Sequence, residues 1–276
     1  MIKKITKNLI LAVLVLLLCF GTIPNKFAHA EANNCFYCDT SYLDGGAGDG
    51  GTYHSETVTC DYYLKDECYL TLLCPIYTNL SQPNSCAPLA GSIIVGYYDF
   101  YCPDLLENYQ SFYYYNGYYH FKPQNSQVIA MKEYLYDLMG TNSLNPGTSV
   151  SQFQTGLSAY ATEQGYSTSY SSCGTINISN VTTAIGQERP IVLFLSSYDY
   201  YEIITEGSDY VYFSGFQKSV GHVVVAYGYV KYRFYSNNVN FRTDEYLAVA
   251  FGDGTEGLLK ICSDTTIDAS YSVYIY

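Results

Sequence analysis

The chain has 276 residues and a formal net charge of −12, from 13 Lys and Arg against 25 Asp and Glu. So acidic a chain argues against nucleic acid and anionic lipid surfaces as partners, since both attract basic patches. Tyrosine is abundant at 34 residues and tryptophan is absent, which supplies rings for packing that keep a hydroxyl for hydrogen bonding.

Residues 1–30 read as a secretory signal peptide. Lys3, Lys4 and Lys7 precede an unbroken apolar run of twelve residues, Leu9 to Phe20, and the small-residue stretch "AHA" ends at Ala30. The run is shorter than the roughly 20 residues of a membrane helix, and no second long apolar run follows. The expected mature chain is secreted or displayed at the cell surface, without an integral membrane span. Its charge is 9 − 25 = −16, because four of the 13 basic residues and no acid leave with the peptide. Nine of the ten cysteines remain: Cys35, Cys38, Cys60, Cys68, Cys74, Cys86, Cys102, Cys173 and Cys262. An odd count in an exported chain suggests one free thiol beside up to four disulfides. The CxxC of "CFYC" with Cys60 and Cys68 also has the look of zinc ligands, an alternative to bridging.

Residues 31–80 form a Cys- and Gly-rich stretch, "YLDGGAGDGGTYHS" among it, and read as a loop-like leader or propeptide-like segment. Residues 81–276 read as one domain. A helix starts at or just after Cys86, because Pro88 is tolerated only in a first turn. It is apolar almost all round, as a buried helix is. Amphipathic spacing predicts helices over 126–139, with Ser126 as N-cap, and over 149–164, with a shorter one over 179–186. The run "YYYNGYYHF" (113–121) reads as an aromatic strand or the lining of a cleft. After Arg189-Pro190 come six stretches rich in β-branched and aromatic residues, from 191–195 to 271–276. Helices first and antiparallel strands afterwards predict an α+β domain.

Three motifs carry chemistry. Cys86 opens the buried helix, where unpaired amides and the helix dipole favour a thiolate and can face an oxyanion. His222, in "VGHVVVAYGY", opens a strand and suits the base that a nucleophilic cysteine needs. His54 and His120 read as solvated surface residues. A hairpin turning between Asn237 and Asn238 gives partner sums of 237 + 238 = 475, which sets His222 opposite Asp253 in "FGDG". Asn240 and Asp244 are weaker candidates to orient the histidine, lying near the turn. Gln82, or else Asn84, is the candidate side-chain donor to the oxyanion.

"QPNSCAPLAG", "GHVVVAYGY" and "AVAFGDG", in that order, resemble the papain-like cysteine peptidases, in particular the bacterial branch that includes streptopain and the bacteriocin-leader peptidases. The resemblance spans roughly residues 77–258. It implies a papain-like fold, with an N-terminal helical lobe holding the nucleophile helix against a C-terminal antiparallel sheet. It also implies hydrolysis of polypeptide substrates by a Cys86–His222–Asp253 triad with Gln82 at the oxyanion, and no cofactor. The chain departs from the family in placing Gln82 four rather than about six residues before the cysteine, and in having no Trp beside the third motif. Two alternatives stand beside peptide hydrolysis: transglutaminase-like acyl transfer by the same triad, and an inactive secreted binding protein on the same fold.

Overall fold

The computed structural model describes residues 51–78, 81–143, 146–219, 221–252 and 254–276. The expected signal peptide, Cys35, Cys38 and Asp253 lie outside the described residues.

Four helices form where the periodicity places them: α1 (Cys86–Tyr98), α2 (Ser126–Leu138), α3 (Val150–Glu163) and α4 (Ile178–Ile185). The cap of α2 is Asn125 rather than Ser126; its side chain accepts the amides of Gln127 and Val128. Ser149 and Gln152 exchange hydrogen bonds in a capping box that starts α3. Every residue of α1 after Cys86 is buried, and the helix packs on α2, α3 and the long strand that begins at His222. Burying Leu89, Ile93, Ile94 and Val95 contributes about 1.5–3 kcal/mol each.

The strands are β1 (Thr52–Thr59), β2 (Tyr62–Tyr69), β3 (Phe112–Tyr115), β4 (Tyr118–Phe121), β5 (Thr168–Ser172), β6 (Ile191–Glu206), β7 (Tyr210–Lys218), β8 (His222–Ser236), β9 (Val239–Ala250), β10 (Glu256–Lys260) and β11 (Thr266–Ile275). Nine of them form one antiparallel sheet in the order β1-β7-β6-β10-β9-β8-β2, with β11 on β6 and β5 on β11. β6 also pairs with β8, Ile191–Leu195 against Ala226–His222, so β6, β10, β9 and β8 close a circuit. β3 and β4 make a separate hairpin.

This architecture overturns the expected α+β papain-like arrangement of a helical lobe against a sheet. The protein is mostly antiparallel sheet with four short helices among the described residues. Two physical reasons account for the difference. The strands run on past their apolar centres, β6 to 16 residues and β8 to 15, because half-exposed stretches that mix Tyr with polar residues are good strand formers. Residues 52–69, in the stretch read as a leader, form β1 and β2, which pair with β7 and β8 at the two ends of the sheet order.

The β8–β9 hairpin turns at Asn237 and Asn238, both left-handed (φ 51° and 61°), as a two-residue type I′ turn requires. Ser236 faces Val239, a partner sum of 475, and two opposed register shifts return the ladder to Val225 facing Ala250, again 475. All seven described cysteines are free thiols. Among the described residues no disulfide forms, so Cys86 is one free thiol among seven and is not singled out by parity.

Candidate functional site

Cys86 is the first residue of α1, and its N-cap Ser85 makes no side-chain capping bond. The first-turn amides are thus left without a side-chain partner from the cap. Burial pushes the Cys86 thiol above its ordinary range, while hydrogen bonding from the amides of Val223, Ala87 and Cys86 itself pulls the other way without overcoming it. The Val223 amide belongs to the residue directly after His222, so the structure brings the cysteine sulfur to the mouth of β8, where His222 sits.

His222 is half-buried. Its Nε2 lies 3.0 Å from the Phe251 carbonyl oxygen. A carbonyl can only accept, so Nε2 carries the proton and Nδ1 is the basic nitrogen of the neutral ring. The imidazole joins a three-ring cluster, stacked on Phe251 at 5.6 Å and tilted against Tyr198 at 5.6 Å, with Tyr198 and Phe251 also 5.6 Å apart. Tyr200 meets Phe251 edge-on at 4.3 Å. Gly252 continues the loop with φ +87°, and a Cβ there would stand 3.0 Å from Leu89 Cδ2. The loop after β9 therefore rests on the first turn of the cysteine helix while it holds the histidine. Sequence reasoning missed Phe251 as an orienting group because any residue can offer a backbone carbonyl. Asn240 and Asp244 lie toward the far end of the hairpin: Asn240 is bonded to Thr243, and Asp244 accepts from Arg242 and Tyr246.

Gln82 is half-buried, and its Oε1 is buried without a hydrogen-bond partner among the described residues. The loop carrying it is pinned from α2 and the turn after it. Pro83 O accepts from Tyr136 Oη at 3.3 Å and from Asn142 Nδ2 at 3.1 Å. Asn84, itself left-handed at φ 59°, donates to Asn142 Oδ1 at 2.7 Å and is committed to that clamp. Upstream, the fully buried Lys132 donates to Thr78 O at 2.8 Å.

The remaining histidines differ from each other. His120 is exposed on the β3–β4 hairpin, stacked on Tyr113. His54 is half-buried on β1 and bonds Asp199 at 2.7 Å, so it is not the solvated residue expected. Among the described residues one cluster of metal-ligand type occurs, Asp199, Cys262 and Asp264, and Cys60 and Cys68 are not in it; Cys35 and Cys38, the other half of the possible zinc set, lie outside the described residues. No described helix is long and apolar enough to cross a membrane. Comparison with protein-family models, with curated proteins and with solved structures returns no match.

Proposed function

We propose that this chain is a cysteine peptidase in which Cys86 is the nucleophile and His222 the proton carrier. The observation that supports the reading is the Val223 amide acting on the Cys86 thiol, one residue after a histidine whose ring is oriented by the Phe251 carbonyl. With the thiol held protonated by burial, His222 takes its proton as attack proceeds rather than from a preformed ion pair. Sulfur bonds to the peptide carbonyl carbon, and the oxygen becomes an oxyanion facing the first amides of α1. His222 then gives the proton to the leaving amine as the C–N bond breaks. Water, deprotonated by the same imidazole, cleaves the thioester and restores the thiol. Gln82 is the proposed side-chain donor to the oxyanion, and Asp253 the proposed carboxylate behind His222.

A casein panel and a thiol-directed epoxide test this together. Hydrolysis should vanish in Cys86→Ala, and labelling of Cys86 should depend on His222. A Cys86→Ala protein as fast as the parent would sink the proposal. Product transferred to an added amine, instead of released acid, would favour acyl transfer. A binding protein without turnover is the second reading, suggested by five exposed tyrosines on β3–β4 (Tyr113, Tyr114, Tyr115, Tyr118 and Tyr119); an unlabelled Cys86 would favour it.

A further inference from the structure

Successive residues of a strand point to opposite faces. On β6, Tyr198 turns its ring to His222, so Asp199 faces the other side of the sheet. There Asp199 is 6% exposed, and its only ion-pair partner among the described residues is His54. The nearby Lys260 ammonium instead sits over the Tyr201 ring and reaches toward Asp244. The partners of Asp199 are an imidazole, which is a cation only when protonated, and the Tyr201 hydroxyl, and among the described residues no Lys or Arg pairs with it.

We propose that Asp199, Cys262 and Asp264 bind a thiophilic divalent cation of the zinc class. One ligand atom from each lies within 4.8 Å of the others, where a tetrahedral ion with bonds near 2.0–2.3 Å needs about 3.3–3.8 Å. A closure of an ångström or so completes the site. The mixture of one sulfur and two carboxylates points to zinc-type ions rather than calcium or magnesium, which take oxygen alone. Asp264 is exposed, so the fourth position opens to solvent.

The surroundings hold these donors in place. Ser197 Oγ donates to Asp264 O at 3.0 Å and pairs with Thr266 Oγ1 at 3.0 Å. Asp199 N donates to Thr265 Oγ1 at 3.2 Å. Together they dock the loop that carries Cys262 and Asp264 on β6. Asp199 itself is oriented through both oxygens, Oδ1 by His54 and Oδ2 by Tyr201 Oη at 2.8 Å. Each oxygen keeps a second acceptor direction for a metal. His54 reaches Asp199 from two strands away, since β7 lies between β1 and β6. The residue opposite His54 is Gly215, where a Cβ would stand 2.2 Å from the imidazole Cε1. The missing side chain opens the path for the ring. His54 is therefore a positioning residue behind a metal ligand, an arrangement whose loss costs 10–100-fold in metal affinity.

Cobalt(II) titration of the full chain provides the test, read by the thiolate-to-cobalt charge-transfer band and by displacement with zinc. The expected result is one equivalent of cobalt with a thiolate band in the parent, in Cys86→Ser and in the Cys35→Ser/Cys38→Ser double variant. The band should be absent in Cys262→Ser, and affinity at least tenfold weaker in His54→Ala and in the exposed Asp264→Asn. No band, or a band that survives in Cys262→Ser, overturns the proposal. Neither outcome depends on whether Cys86 is a nucleophile.

Discussion

Replacing Gly252 with alanine probes the contact that joins the two halves of the candidate site. Its φ of +87° costs an L-residue about 1–2 kcal/mol. Gly117, in the β3–β4 turn, has nearly the same φ, +86°, and open space where its Cβ would go. Gly117→Ala therefore measures backbone strain alone. At Gly252 the new Cβ would also meet Leu89 at 3.0 Å (Cδ2) and 3.2 Å (Cγ), in a packed core where Leu89 is 0% exposed. Overpacking adds about 1–3 kcal/mol, so Gly252→Ala should cost about 2–5 kcal/mol in urea unfolding against about 1–2 for Gly117→Ala. The loop can relieve the clash only by lifting, which lengthens the bond from His222 to the Phe251 carbonyl. The rate of Cys86 alkylation by iodoacetamide, followed by mass spectrometry, should fall about tenfold in Gly252→Ala and stay unchanged in Gly117→Ala, given how steeply reactivity depends on placement. Leu89→Ala removes the atoms that clash, and a double-mutant cycle should show the two sites coupled. Equal losses for both glycine variants, with equal alkylation rates, would refute the idea that this loop holds the histidine.

His222→Ala should slow Cys86 alkylation at neutral pH about 100-fold, in the range of a lost general base, with the urea midpoint little changed. Burial raises the thiols of Cys60, Cys74, Cys86 and Cys102, so above the unfolded thiol value near 8.5 the unfolded chain sheds protons that the folded chain keeps. Stability should accordingly be full below about pH 8.5 and fall as pH rises beyond it, which urea midpoints at neutral and alkaline pH will check; a flat profile would contradict the burial of these groups. Asn142→Asp keeps the acceptor for Asn84 and for Gly147 N but loses the donors to Pro83 O and Tyr136; it should cost about 1–3 kcal/mol and slow hydrolysis by loosening the Gln82 loop. Asp99→Asn should destabilise by a similar amount in thermal unfolding, because both carboxylate oxygens accept backbone amides, from Leu106 at 3.0 Å and Ser111 at 2.7 Å.

Local chemistry carried the parts of this protein that a one-dimensional reading recovers. Pro88 and the apolar run after it dictate a buried helix opening at Cys86, and two asparagines that tolerate left-handed backbone dictate the turn of the β8–β9 hairpin. That turn also fixes the first pair, Ser236 with Val239, but Val225 comes to face Ala250 only because two opposed bulges cancel, which counting from the turn does not foresee. The fold class did not follow. β1 and β2 are polar, half-exposed edge strands, and what makes them strands is pairing to β7 and β8, some 160 residues away in the chain. Likewise no local pattern marks the Phe251 carbonyl on His222, or His54 across Gly215 onto Asp199, 145 residues distant. Helix starts and hairpin turns are set by neighbours within four residues. Which cysteines stay free, which strands lie side by side and which carboxylate a histidine meets are set by distances in space, and only the tertiary structure decides those.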